Sequence, residues 1–293
     1  MAADDNPKGL EEKISRHLGE SYLGAMGDED KLVLFENQWT DAAGPGGRQA
    51  DRDRCACFDQ SRMRRGVPVS FHPDRQDAMA PGWLHLLHLV EEAAADGREV
   101  FEPLVELSPQ ERRQIVTLPP TIAKLTAVRK LVLYGSNLVR IPPEIGAMTS
   151  LEEFSPYTSH RLHWFPYEIT RCSSLRQSTV STRSLYGNFK LRPPFPRLGP
   201  TGSGTDEPDL RDLDPHRWGA TGIFRCSVCD RPVDAGSLRQ VWLSGRVATD
   251  VLPLLVNACS AECVEDLPAP AEGYVSTPHR GGAKVVQPGA DWD

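Results

Sequence analysis

The spacing of apolar positions changes three times along this chain. Between 83 and 95, Trp83, Leu86, Leu87, Val90 and Ala94 recur at helical steps, and Gly97 stands where a helix would end. Ser108-Pro109-Gln110-Glu111 is a capping-box sequence with proline at the first helical position, which predicts a short helix over 109–116. Upstream, 9–23 reads as a helix, 32–35 as a short apolar run, and 41–54 as a Gly-, Asp- and Arg-rich loop. From Leu118 onward the pattern becomes a recurrence. Leu118-Pro-Pro-Thr-Ile122, Ile141-Pro-Pro-Glu-Ile145 and Phe165-Pro-Tyr-Glu-Ile169 are spaced by 23 and 24 residues. The same two spacings relate Val128, Leu151 and Leu175, and also Leu131, Phe154 and Ser178. A period in the twenties predicts supersecondary units stacked on one another. Downstream, 240–243 and 253–256 read as strands between two cysteine pairs.

Within one period the run is Val128-Arg-Lys-Leu131-Val-Leu133-Tyr-Gly-Ser136-Asn-Leu138-Val-Arg-Ile141-Pro142. This motif resembles the leucine-rich repeat family. The resemblance covers roughly 115–198 and implies that Leu131, Leu133, Leu138 and Ile141 point inward, with Pro142 starting a return segment that ends near Met148. The sequence departs from the family pattern at Pro156 and Ser178, where buried apolar residues are expected, and at Ser136, where the ladder asparagine usually stands. The helices of 83–116 would cap one end, and 185–196 would close the other. The strand-lined face would expose Lys130, Val132, Tyr134, Glu153, Ser155, Tyr157, Gln177, Thr179 and Ser181, a surface rich in tyrosine and small hydroxyls that suits protein partners.

Four cysteines supply the chemistry. Cys226-Ser-Val-Cys229 and Cys259-Ser-Ala-Glu-Cys263 are separated by 29 residues and have the spacing of a structural zinc site. The first pair suits a tight knuckle. The second suits the first turn of a helix capped by Ser260. Knuckle, strand pair and cysteine-bearing helix together resemble the treble-clef class of zinc fingers. The long interval predicts an extra helix or loop near 248–254. Four thiolates would fill a zinc coordination sphere and leave no position to activate water. The ion would then act as a staple for a small core. An iron–sulfur cluster also takes four cysteines and stays open at this stage.

Length and charge set the remaining bounds. The 293 residues allow one to three domains. Hydrophobic residues make up 39%, with no run long enough to span a bilayer. The start lacks a secretory pattern, and seven cysteines in this arrangement point to a reducing, cytoplasmic setting. Net charge is −7, but 114–198 carries 11 basic and 4 acidic side chains, a balance of +7 that favours an acidic partner. The cysteine segment 218–268, with 4 basic and 6 acidic side chains, is a poor phosphate footprint and argues against nucleic acid.

These readings divide the chain into an N-terminal region with a helical cap (1–113), a repeat segment (114–198), a linker (199–217), a zinc module (218–268) and a tail (269–293). The expected fold class is mixed α+β. The expected function is a non-catalytic protein–protein interaction scaffold. The alternatives are an accessory or specificity subunit of an enzyme complex, and a nucleic-acid-binding zinc protein. Three further groups carry weaker chemistry. Cys55 and Cys57 with His72 could form a second metal site. His85, His88 and Glu91 share a helix face. His160 or His163 could serve a nucleophile brought close by folding. No phosphate loop or dinucleotide fingerprint is present.

Overall fold

The computed structural model describes residues 57, 72, 74–182, 184–187, 192–198, 225–233, 238–282, 284–286 and 288. The helix and loop expected before residue 54, the linker and Cys55 lie outside the described residues. Cys55–Asp293 forms one compact unit, and its architecture is mixed α+β.

Helix α1, Pro81–Asp96, follows the apolar pattern. It buries Trp83, Leu86, Leu89, Val90 and Ala93 and stops at Gly97, whose φ of 66° is the left-handed conformation that glycine adopts without strain. Strand β1 (Val100–Phe101) and the short helix α2 (Pro103–Glu106) follow. Helix α3, Pro109–Gln114, starts at the expected capping box: Glu111 N–H donates to Ser108 Oγ, and Ser108 N–H donates to Glu111 Oε2. The helix ends two residues earlier than the sequence suggests because Ile115 is already extended, and it and Val116 are buried.

The recurrent positions fall on parallel strands and on 3₁₀ turns. Strands β2 (Lys130–Val132), β3 (Glu153–Ser155) and β5 (Gln177–Ser178) pair in parallel with β1 in the order β1-β2-β3-β5. Their register pairs Leu131 with Phe154 and Phe154 with Ser178, the same residues related by the 23- and 24-residue spacings. Each Pro- or Tyr-led segment forms a 3₁₀ turn, at Pro120–Lys124, Pro143–Ala147 and Tyr167–Arg171. Leu131, Leu133, Leu138, Ile141, Ile145, Met148, Leu151 and Phe154 are all buried between the strand and turn sides. Stacked turns approach closely: a Cβ added to Gly146 would lie 2.7 Å from the Glu168 carbonyl oxygen, so only glycine fits there.

A second sheet has the order β4-β7-β6, formed by β4 (Phe165–Pro166), β6 (Arg239–Val247) and β7 (Asp250–Ala258). β6 and β7 are antiparallel, and β7 runs parallel to β4 with Phe165 opposite Leu254. The hairpin that leads into the second cysteine pair is thus hydrogen-bonded to β4. The extra helix or loop expected near 248–254 is absent. Two nine-residue strands and a two-residue turn, Ala248-Thr249, span the interval instead, with Ala248 at φ 49°. The tip of that hairpin lands on β5. Ser178 Oγ donates to Asp250 Oδ2 at 2.7 Å, and Thr249 Oγ1 donates to the Ser178 carbonyl at 2.9 Å. This explains the serine at an otherwise apolar register position, because its neighbour is a polar turn.

The tail is docked. Trp242 and His279 exchange backbone hydrogen bonds at 2.7 and 3.1 Å, and Val275 is buried. Trp242 is fully enclosed, with Trp164, Tyr186 and Phe195 around it at ring-centroid distances of 5.8–6.2 Å. No described helix is long and apolar enough to cross a membrane.

Candidate metal centre and partner face

The Cys226–Cys229 segment is a tight turn closed by Cys226 N–H to the Arg231 carbonyl at 2.8 Å and Asp230 N–H to the Cys226 carbonyl at 3.0 Å. Asp230 takes φ 58°, which reverses the chain and brings both sulfurs to one side. Cys259 closes the end of β7, and Cys263 sits on helix α4, Ala261–Glu265. A five-residue helix has little stability alone. Ser260 Oγ caps it by accepting from Cys263 N–H at 3.3 Å, as the sequence suggests.

The four sulfurs converge, and all lie within 4.8 Å of one another. Cys229 to Cys259 and Cys259 to Cys263 are each 3.6 Å. Cys226 and Cys263 are buried, and Cys226 Sγ accepts from the Cys259 N–H at 3.4 Å. Arg231 Nε, 3.2 Å from Cys229 Sγ, holds that thiol down to about 6. Cys229 in turn pushes Cys259 up to about 12. Like charges at this range suppress each other's ionisation, so four thiolates coexist only around a cation. The set fits a single metal ion.

The centre is also tied to the stack. Arg171, at the end of the third 3₁₀ turn, donates to the Ser227 carbonyl at 3.0 Å and pairs with Asp230 at 3.3 Å. Ser227 and Asn257 exchange bonds at 2.8 and 2.9 Å, which holds the knuckle against β7. Glu168 is buried nearby, and burial raises its carboxyl above the usual range.

The predicted partner face is only partly accessible. Val132, Tyr134 and Ser155 are buried, so the expectation that all nine residues face solvent is narrowed. Tyr134 packs against Tyr157 at 5.9 Å, turning inward along the stack. Lys130 and Glu153 are half-buried and paired at 3.1 Å. Tyr157, Thr179 and Ser181 are half-exposed and Gln177 is exposed. Ser181 Oγ accepts from Thr158 N–H at 2.7 Å.

The helix-face histidines act locally. His85 Nδ1 lies 3.0 Å from Glu111, and His88 Nε2 lies 3.2 Å from Glu92. Cys172 is buried and donates to the Ile145 carbonyl at 3.2 Å. Folding does bring Cys57 and His72 together, and it adds His163, which the sequence reading had placed in a separate group. No protein-family model matches the chain, and no similar curated protein or solved structure was found.

Proposed function

We propose that this protein is a non-catalytic interaction scaffold. A short leucine-rich-repeat-like stack presents its strand-lined concave face to another protein, and a treble-clef-like module holds structural zinc through Cys226, Cys229, Cys259 and Cys263. The observation that carries this reading is the in-register stacking of β2, β3 and β5 beside a closed set of four thiols. In a tetrahedral zinc site with bonds of about 2.3 Å, sulfurs stand about 3.8 Å apart. The 3.6 Å separations agree with that edge. A cluster whose cysteines sit on different irons would spread them farther. With four protein ligands the ion organises the hairpin end and has no position for substrate.

Recognition would centre on Tyr157, Gln177, Thr179 and Ser181, an aromatic ring bordered by small polar groups. Arg176, beside Gln177, is well exposed and favours an acidic partner contact. A tagged full chain recovered from its host should co-purify a principal partner. The Tyr157→Ala/Gln177→Glu double variant should recover about tenfold less of it. Equal recovery by a folded double variant would defeat the partner-face reading.

A further inference from the structure

We infer that Cys57, His72 and His163 form a second metal site, separate from the four cysteines, for a borderline divalent ion such as zinc. One thiol sulfur and two imidazole nitrogens meet at a point. Cys57 Sγ lies 3.3 Å from His72 Nε2 and 3.1 Å from His163 Nε2, and the two nitrogens are 3.2 Å apart. Two nitrogens bonded to tetrahedral zinc at about 2.05 Å stand about 3.3 Å from each other, and a nitrogen and a sulfur about 3.6 Å. The nitrogen edge already matches, and the sulfur edges need a few tenths of an ångström, within reach of a small side-chain rotation.

The orientation of His163 is set from behind. Its Nδ1 faces the Ser184 carbonyl in a short hydrogen bond, so that nitrogen carries the hydrogen and Nε2 keeps its lone pair toward Cys57 and His72. A backbone carbonyl on the far nitrogen is the usual outer support of a metal-bound histidine. His163 is 1% exposed, and its ring stacks on His72 with centroids 5.2 Å apart.

The same two stretches of chain meet again two residues further on. Asp74 pairs with Arg161 at 2.6 Å, with side chains 10% and 2% exposed. Arg140 also donates to the Asp74 carbonyl. Gln76 then donates to the Gln114 carbonyl and accepts from Val116 N–H. The ion would be the upstream end of a polar seam that binds residues 57, 72 and 74–76 to the side of the parallel sheet. Pairing with Asp74 compensates the Arg161 charge beside the ion. A nucleophilic Cys57–His163 pair is the competing chemistry, but a residue 4% exposed gives a bulky substrate no approach, whereas a small alkylating reagent would reach the sulfur once the ion that holds this seam closed is removed.

The test uses the full chain. Elemental analysis after gel filtration should give two metal equivalents for the wild type. His72→Ala should hold one, with unchanged far-ultraviolet circular dichroism. On the wild type, alkylation read by mass spectrometry should modify Cys57 much faster after a strong chelator than before. The site is overturned by a single equivalent in the wild type, by two equivalents in His72→Ala, or by a Cys57 that alkylates equally fast with and without chelator. The alkylation arm decides the matter even where His72→Ala does not fold.

Discussion

Trp242 is where the stack, the hairpin and the tail share one core, so its removal tests whether they fold as one body. The side chain is completely enclosed, contacts Trp164, Tyr186 and Phe195, and donates its Nε1–H to the Pro196 carbonyl at 3.0 Å. Truncating a buried aromatic to alanine costs about 3–5 kcal/mol. Losing the indole hydrogen bond adds about 1 kcal/mol. The sum, about 4–6 kcal/mol, is a large share of the roughly 5–15 kcal/mol that holds a domain folded. With a urea dependence near 2 kcal/mol per molar, Trp242→Ala should move the unfolding midpoint down by about 2–3 M. Trp242→Phe keeps most ring contacts and should lose about 1–2 kcal/mol. The four cysteines lie beyond the open end of the hairpin, where Arg239 pairs with Ala258, three register pairs from the Trp242–Leu255 pair, so folded Trp242→Phe should keep its full metal content. A Trp242→Ala midpoint within about 0.5 M of wild type would refute the shared core.

Two other outcomes follow from buried and metal-facing charge. Glu168 has a folded carboxyl pKa raised by burial above its unfolded value of about 4.3. The folded state therefore holds the proton longer, and this group's stabilisation is present below about pH 4.3 and declines as pH rises to the folded pKa. Glu168→Gln should remove that decline, and a wild-type-minus-variant stability difference that is flat with pH would contradict it. Arg231→Ala should return the Cys229 thiol from about 6 toward its ordinary range near ~8.5. Proton competition should then weaken metal binding about tenfold at pH 7, a modest figure because Arg231 is exposed, and hardly at all at pH 9.5. Chelator competition at both pH values measures this, and equal affinity at pH 7 would rule out the role of Arg231.

Periodicity and capping alone determined a good deal. The 3.6-residue spacing placed α1, the Ser108–Glu111 pair placed the start of α3, and the 23- and 24-residue recurrences put Leu131, Phe154 and Ser178 in one register. These are local or translational signals, carried by chemistry within a turn or a repeat. The four-cysteine centre was legible because two short spacings each fix a pair of sulfurs, with Ser260 setting the helix between them. Only tertiary structure decided which strand residues stay accessible: Val132, Tyr134 and Ser155 alternate correctly yet are enclosed. It also decided that a long hairpin, not an added helix, fills the interval between the cysteine pairs, and that the hairpin continues the sheet begun by Phe165. Cys57, His72 and His163 come together across 91 and 106 residues of chain, and no local pattern encodes such a meeting. It depends on the path of the backbone around the stack, which is settled by packing once all the elements are present.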